Sequence, residues 1–351
     1  MNPSEKKEDT LLLVGSSPHI HAPGDISTIM LDVIIALVPA LVASVVFFGM
    51  RALTLVVICV TTCVLGEYLC RRAMKRDNTV RDLSAVVTGL LLAFNLPPTL
   101  PYWMAVVGSL FAIVFAKQVF GGLGYNPFNP ALIGRAFLLI SFTGAMTTWT
   151  ATTLGADVVT SATPAAAAAV DAVTTATPLG MVQAAFKTGA AVPFTMDGPT
   201  TLRFFLGNIN GCLGETSSVA ILLGAAYLIA RKVITPHIPL AYIGTVVIYA
   251  AVLRFVQPEA SMPVSFHVLS GGLLLGACFM ATDMVTSPTT HAGKVIFGIG
   301  CGILTMIIRT VKFGAYPEGV SFAILIMNAF VPLINQATVH TVFGRGKRKT
   351  A

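Results

Sequence analysis

Two copies of one octapeptide pattern place hydroxyl side chains among small residues in the middle of the chain. The first copy, D-V-V-T-S-A-T-P, spans residues 157–164, and the second, D-A-V-T-T-A-T-P, spans residues 171–178 and is followed by Leu-Gly. Thr163 and Thr177 occupy the same position in the two copies. A hydroxyl in a short, exposed segment of small residues is one that a modifying enzyme can reach. The pattern therefore indicates a site of covalent attachment.

The composition around these copies is that of a membrane protein. The chain has 351 residues, of which 55% are hydrophobic and 11% are charged, and its mean hydropathy is +0.82. Soluble domains carry about 25% charged residues, so this chain needs lipid as its solvent. Its net charge of +7 comes from basic residues clustered in short loops. Membrane topology accounts for that clustering, and no nucleic-acid partner is indicated.

Apolar runs of about 20 residues predict transmembrane helices, and they recur along the whole chain. The fold class is therefore an all-α polytopic membrane protein with about ten spans. Residues 83–93 and 269–276 resemble each other and fall in the third and eighth spans. A repeat of five spans ends on the opposite side of the membrane from where it begins. The second of two five-helix repeats must therefore be inverted relative to the first. The predicted spans lie near residues 29–48, 52–70, 82–96, 101–119, 129–145, 211–230, 237–256, 264–282, 294–310 and 318–336.

The positive-inside rule orients these spans. Most of the 22 Lys and Arg residues fall on one side if both termini are cytoplasmic. The predicted regions are a cytoplasmic tail (1–28), a first membrane repeat (29–145), an extracytoplasmic loop with both octapeptides (146–210), a second membrane repeat (211–336) and a basic cytoplasmic tail (337–351).

Two glutamates, Glu67 and Glu215, lie within or beside apolar spans. A charge at the bilayer centre costs about 2.5–3.5 kcal/mol or more, so both are candidates for ion coupling. Arg71 lies one helical turn from Glu67, which predicts a simple ion pair near the cytoplasmic end. Glu215 has no basic residue within a turn or two. It is therefore the better candidate, although a carboxylate at a helix start is also favourable without any function.

Two loops rich in Gly, Pro and Asn offer further candidates for ligand binding. Asn126 and Asn129 lie in the first loop, and Asp283 and Thr286 lie in the second. Such loops can re-enter the membrane and line a ligand site. Asn129 followed by proline is also an ordinary helix N-cap, and the two interpretations are compatible.

The six cysteines form no C-x-x-C pair, and nearly all fall in apolar runs. We expect them to be small buried hydrophobic residues and expect no metal site.

Five motifs that follow one another along the chain resemble those of one family, in the same order. They are S-S-P-H (16–19), G-G-L-G-Y-N-P-F-N-P-A-L-I-G-R-A (121–136), the second octapeptide with its Leu-Gly (171–180), A-T-D-M-V-T-S-P (281–288) and G-A-Y-P-E-G-V-S-F-A-I-L-I-M-N (314–328). Together they resemble the D subunit of the Rnf electron-transport complex and its relative, the B subunit of the sodium-translocating NADH:quinone reductase. The short N-terminal tail favours the Rnf subunit. Thr175 departs from the family pattern, which often has glycine there.

This resemblance implies covalent FMN, held by a phosphoester on Thr177, with Asp171, Thr174 and Ala176 as the rest of the attachment motif. It also implies a second, noncovalent flavin, riboflavin, in the membrane part. The implied partners are membrane lipid, subunits with iron–sulfur clusters and further flavin, and a flavin transferase for maturation. The implied activity is ferredoxin:NAD electron transfer coupled to Na⁺ or H⁺ movement across a bacterial or archaeal cytoplasmic membrane.

A transporter or channel of two inverted repeats, without a redox cofactor, fits the pattern of spans equally well. The T-A-T-P segment separates the two hypotheses, because a channel does not need it. In a channel, that segment would be a flexible, Ala- and Thr-rich loop.

Overall fold

Helices dominate the computed structural model of the chain. It describes residues 25–150, 174–175, 177–188, 194–215, 217–257, 261–310 and 319–339. The elements up to residue 150 are α1 (Ile26–Phe48), α2 (Met50–Ala73), a 3₁₀ turn (Val80–Asp82), α3 (Ser84–Phe94), α4 (Tyr102–Ile113) with a π-helical turn (Val114–Gln118), α5 (Pro130–Ser141), α6 (Thr143–Met146) and β1 (Trp149–Thr150).

The later elements begin with a short strand and continue as helices. They are β2 (Thr174–Thr175), α7 (Pro178–Thr188), α8 (Gly198–Leu206), α9 (Ser218–Ala230), α10 (His237–Val256), α11 (Val264–Leu269), α12 (Leu273–Leu275) with a π-helical turn (Gly276–Met280), α13 (His291–Thr310) and α14 (Val320–Thr338). Strands β1 and β2 form a two-residue antiparallel ladder with Trp149 opposite Thr175.

Among the described residues, five helices are long and apolar enough to cross a bilayer, namely α1, α2, α10, α13 and α14. Shorter apolar helices cover Ser84–Phe94, Tyr102–Gln118, Pro130–Ser141 and Ser218–Ala230. Large apolar side chains such as Val46, Leu65 and Phe255 are exposed on the long helices, where lipid would cover them. The chain is thus an all-α, multi-pass membrane protein.

Several predicted spans are shorter or more broken than we expected. The spans at 82–96, 129–145 and 211–230 contain helices of only 11, 12 and 13 residues. The span at 264–282 is interrupted at Ser270–Gly272, where Gly271 has φ +65°. Left-handed backbone is accessible to glycine at little steric cost, and it ends α11 there.

Two non-helical segments contact each other, one after the end of α3 at Phe94 and the other before the start of α9 at Ser218. The Gly214 N–H donates to the Phe94 carbonyl at 2.8 Å, and the Leu213 N–H donates to the Leu96 carbonyl at 3.2 Å. Backbone groups without water must find partners within the protein, and these two segments supply them to each other. A side chain at position 214 would collide with Phe94, so glycine permits the contact.

The same order of helix pairing occurs on both sides of this junction. Helix α2 packs on α3 and α4, and α4 packs on α5. Correspondingly, α10 packs on α11 and α13, and α13 packs on α14. Helix α1 contacts α9, and α5 contacts α14, which are the first and last helices of each set. This agreement is what a five-helix repeat requires, and the inversion of the second repeat stays a prediction.

A second, smaller hydrophobic core lies beneath α7 and α8. It consists of Leu179, Val182, Phe204, Ile209, Met262 and Phe266. The region that we predicted as a long loop therefore contains two packed helices after Thr177. Five of the six cysteines are buried, and Cys70 is partly buried, which agrees with their expected role as small apolar residues.

The contact between α1 and α9 gives a test of this packing. A methyl group on Gly224 would collide with the Ala36 carbonyl, whereas one on Gly244 in α10 would meet nothing within 4 Å. We expect Gly224→Ala to destabilise the protein by about 1–3 kcal/mol, as overpacking does. Gly244→Ala should be neutral or slightly stabilising. Thermal unfolding in detergent measures both, and equal midpoints for the two variants would contradict this interface.

Candidate functional site

Thr177 lies immediately before helix α7 and caps it. The Gly180 N–H donates to the Thr177 Oγ1 at 3.1 Å, and the Met181 N–H donates to the Thr177 carbonyl at 2.9 Å. Pro178 occupies the first helical position, which needs no N–H donor there. The first amides of a helix and its dipole favour negative charge at this end. A phosphate group attached to Thr177 would therefore lie in a favourable field.

The Thr177 side chain is buried rather than exposed, with only 8% of its surface accessible. Our expectation of an exposed hydroxyl was therefore wrong for the packed state. The physical reason is that Leu179 and Val182, two and five residues after Thr177, pack in the second core and hold the start of α7 against it. A modifying enzyme would need to reach Thr177 before this packing or during a local opening.

The rest of the attachment motif is described only in part. Thr174 lies in β2, where the backbone ladder ties it to Thr150. Asp171 and Ala176 lie outside the described residues, as does the whole first octapeptide with Thr163. The roles of these residues stay predictions.

A small pocket of about 10 Å³ lies beside Thr177. We call it the Thr177 pocket, and its lining residues are Thr177, Pro178, Leu179, Ile209, Asn210, Gly211, Glu215, Ser270 and Gly271. Two of its polar atoms, the Glu215 Oε1 and the Ser270 Oγ, are buried without a hydrogen-bond partner among the described residues. Buried polar groups usually have partners, so this pocket has unused capacity to bind a polar ligand.

Glu215 has a basic partner that its sequence neighbourhood does not reveal. The Arg135 Nη2 lies 3.6 Å from the Glu215 Oε1, and Arg135 and Glu215 are 3% and 5% exposed. The sequence around Glu215 holds no basic residue within a turn or two, and this partner comes from α5, far earlier in the chain. The separation exceeds the ~2.7–2.9 Å of a short charge-assisted bond. The pair is therefore a loose one.

Arg135 also connects the Thr177 pocket to a second polar region. Its Nη1 donates to the Asn95 Oδ1 at 2.6 Å, and the Asn95 Nδ2 lies 3.6 Å from the Met280 Sδ. The Asn129 Nδ2 donates to the Met280 carbonyl at 3.3 Å. These contacts form a continuous buried network from Glu215 to Asn129. None of its long-range links follows from sequence spacing.

The second polar region is a larger cavity, which we call the Asn126 cavity. Its volume is about 80 Å³, and its lining residues are Ile29, Met30, Val33, Ser84, Val87, Thr88, Leu91, Lys117, Leu123, Asn126, Asn129, Pro130, Ala131, Leu228, Val233, Ile234, Phe279, Thr282, Asp283 and Met284. An adjoining cavity of about 230 Å³ shares Val233, Ile234, Thr282 and Met284 with it. Together the two reach the low end of the range for small-molecule pockets, roughly 300 Å³.

The structure brings the four candidate loop residues together at this cavity. Asn126 and Asn129 line it beside Asp283, and the Thr286 hydroxyl donates to the Asp283 Oδ2 at 3.0 Å. The Asn126 Oδ1 is buried without a partner among the described residues. Burial raises the pKa of the Asp283 carboxyl, although the Thr286 hydrogen bond opposes that change. Asn129 also caps α5, because its Oδ1 accepts from the Ala131 N–H at 3.0 Å, so both interpretations of Asn129 are compatible with the geometry.

Glu67 belongs to a separate buried cluster at the edge of this cavity. The Lys117 Nζ lies 2.7 Å from the Glu67 Oε2 and 2.6 Å from the Ser84 Oγ. The Thr79 hydroxyl donates to the Glu67 Oε1 at 2.6 Å. The expected partner, Arg71, is not the one that the structure gives. Lys117 reaches Glu67 from the π-helical turn after α4, a contact that local spacing cannot predict.

This ion pair gives a sharp test, because both side chains are almost fully buried. Lys117→Met should destabilise the protein by about 3–5 kcal/mol, since it leaves the Glu67 charge unpaired in a dry environment. The double variant Lys117→Met/Glu67→Gln removes both charges and should recover much of that loss. Unfolding in denaturant, monitored by tryptophan fluorescence, gives the free energy of unfolding of the wild type and of both variants. Additive losses in the double variant would contradict the pairing.

Comparison with known proteins agrees with this architecture. The model of a family described as "NQR2, RnfD, RnfE family" matches residues 13–344. The chain is 46% identical over 340 residues to the D subunit of the Na(+)-translocating ferredoxin:NAD(+) oxidoreductase complex of Acetobacterium woodii, covering 96% of this chain and 97% of that protein.

Two further relatives have closely related names. The chain is 42% identical to the D subunit of the proton-translocating ferredoxin:NAD(+) oxidoreductase complex of Clostridium ljungdahlii, covering 95% of this chain and 96% of the relative. It is also 42% identical to the D subunit of the ion-translocating oxidoreductase complex of Stutzerimonas stutzeri, covering 92% and 93% of the two chains.

Proposed function

The chain belongs to the NQR2, RnfD, RnfE family, and we propose that it is the D subunit of an ion-translocating ferredoxin:NAD⁺ oxidoreductase complex. In this function it carries FMN on Thr177 and participates in coupling electron transfer to Na⁺ or H⁺ movement. The relatives' names support the complex. The observation that supports the cofactor is the position of Thr177, which lies in a family-like motif at the start of a helix.

The residues around Thr177 fit a phosphoester. The Gly180 N–H already donates to the Thr177 Oγ1, and it can donate to an ester oxygen in the same place. The start of α7 favours the negative charge that the ester adds. A methyl group on Gly180 would lie 3.2 Å from the Thr177 Oγ1, so glycine leaves room at the attachment atom. When bound, FMN supplies the electron-transfer chemistry, and the chain supplies its position and electrostatic surroundings.

Asp171, Thr174 and Ala176 complete the attachment motif in this proposal. The ladder between β2 and β1 would hold the motif against the end of the first set of membrane helices. A flavin transferase of the cell would attach FMN before Thr177 packs, because the packed side chain is only 8% exposed.

We further propose riboflavin as a noncovalent occupant of the Asn126 cavity. Apolar side chains such as Val33, Leu91 and Phe279 offer faces for a planar ring. The amide of Asn126, with its unpartnered Oδ1, and the Asp283 carboxylate offer partners for the ring's polar edge. The adjoining cavity has room for the sugar-alcohol chain. This chain's part is to bind and orient the flavin at one end of the buried network.

The remaining parts of the proposal concern partners and location. Subunits with iron–sulfur clusters and further flavin would pass electrons to and from this chain. The membrane would be the cytoplasmic membrane of a bacterium or archaeon, with both termini on the cytoplasmic side. The relatives are all named as the D subunit of such a complex, which favours this assignment over the B subunit of the quinone reductase. The words "oxidoreductase complex" in those names favour it over a channel.

The attachment site is tested by substitution of the two equivalent threonines. Thr177→Ala should abolish the ultraviolet-excited flavin fluorescence of the denatured chain on a gel, because it removes the oxygen to which the ester is joined. Thr163→Ala is the matched control and should keep the fluorescence. Loss in the Thr163 variant alone would transfer the site to the first octapeptide, and loss in neither would remove the main support for covalent flavin.

The topology is tested by a cysteine introduced at Ala190, between α7 and α8. The proposal puts this position outside the cell membrane, so a membrane-impermeant maleimide should label Ala190→Cys in intact cells. A cysteine introduced at Arg76, in a predicted cytoplasmic loop, should be labelled only after permeabilisation. The opposite pattern would invert the topology.

A further inference from the structure

We propose that the cavity of about 230 Å³ beside the Asn126 cavity is a binding site for a phosphate group, carried by the headgroup of an anionic phospholipid. We call it the Lys294 cavity, and its polar lining residues are Thr235, Thr282, Ser287, Thr289 and Lys294. This inference goes beyond the proposed function and depends neither on the covalent flavin nor on the coupling ion.

The first argument is a cation without a counter-ion. Lys294 is partly buried, and its Nζ donates to the Thr235 Oγ1 at 3.1 Å. Among the described residues, no carboxylate forms an ion pair with Lys294, and no acidic residue lines the cavity. An ammonium group has three N–H donors, so two remain for a ligand. A cation that only a neutral hydroxyl contacts favours an anion in the cavity that it faces.

The second argument is a buried hydroxyl without a partner. Ser287 lines the cavity and is only 7% exposed. Its backbone N–H donates to the Asp283 carbonyl at 3.1 Å, but its hydroxyl has no hydrogen-bond partner within the described ranges. Buried polar groups usually have partners. A hydroxyl can donate to a phosphate oxygen, so a phosphate group would satisfy Ser287 and Lys294 together.

The third argument is the start of two long helices at the same place. Helix α10 begins at His237 and α13 begins at His291, and the rings of these two histidines lie 4.7 Å apart. Ile238 and Lys294, in the first turns of the two helices, both line the cavity. Helix N-termini carry positive potential and bind phosphate groups. Both helices therefore add to the field of the Lys294 ammonium.

The surroundings of the cavity favour a lipid as the source of the phosphate. Met284 lines the cavity and is exposed, so the cavity reaches the surface of the chain. Leu240 on α10 and Ile296 on α13 are also exposed, and acyl chains can cover such apolar side chains. The predicted topology puts the starts of both helices at the cytoplasmic face, where basic pockets between membrane helices bind anionic headgroups.

A phosphate group in this cavity is compatible with a ligand in the Asn126 cavity. The two cavities share Val233, Ile234, Thr282 and Met284, whereas Thr235, Ser287, Thr289 and Lys294 line only the Lys294 cavity. A sugar-alcohol chain at the shared end therefore leaves the Lys294 ammonium to the phosphate.

The test is native mass spectrometry of the purified, delipidated complex titrated with dioleoylphosphatidylglycerol. Lys294→Gln should weaken the tightest site by about tenfold, because it removes a charge-assisted hydrogen bond. Lys294→Arg keeps the charge and should bind nearly as the wild type does. Lys232→Gln is the matched control, because it removes an exposed basic residue that neighbours the cavity without lining it. It should leave the tightest site unchanged.

A second arm, calorimetric titration of sodium phosphate into the same proteins, separates a lipid from a soluble phosphate. Phosphate binding that depends on Lys294, without retained phosphatidylglycerol, would keep the phosphate site and refute the lipid as its occupant. Ser287→Ala should also weaken binding, and it keeps the test valid if gel filtration shows that Lys294→Gln does not assemble. Equal binding of both ligands by the wild type, Lys294→Gln and Ser287→Ala would overturn the site.

Discussion

The need to pair every backbone amide and carbonyl away from water controls the centre of this molecule. Helix α3 ends at Phe94 and α9 begins only at Ser218, so two stretches of irregular backbone lie among membrane helices. They satisfy each other through the Gly214–Phe94 and Leu213–Leu96 hydrogen bonds. Irregular backbone at membrane depth is tolerated only where protein or a cavity surrounds it. The junction therefore exists only if both sets of helices pack around it.

The buried polar residues depend on this junction. Asn95 follows the end of α3, and Glu215 precedes α9, so the two broken segments bring them within reach of Arg135. The resulting network begins at the Thr177 pocket and ends at Asn129, which lines the Asn126 cavity. A rearrangement at either end would change hydrogen bonds that both regions share. The proposed coupling between flavin and ion has this physical basis.

Sequence reasoning predicted the features that depend on local pattern. The five long spans follow from continuous apolar runs, and the cap of α5 follows from Asn129 before proline. The two loops were each expected to line a ligand site, but their meeting at one cavity was not predicted. The family resemblance rests on ordered motifs, and the match over residues 13–344 confirms it.

Sequence reasoning did not predict contacts between residues far apart in the chain. Lys117 with Glu67 and Arg135 with Glu215 depend on tertiary packing, which no helical spacing encodes. The burial of Thr177 was also missed, because it depends on α7 packing over a core that includes residues from the second helical set.

We propose that Thr177 carries FMN through a phosphoester, and intact-mass spectrometry of the purified chain measures this attachment. We expect a mass increase of one FMN less one water, retained after denaturation and located by fragmentation on the peptide that contains Thr177. A chain at its unmodified mass, or a flavin that dissociates on denaturation, would show that no such ester is present.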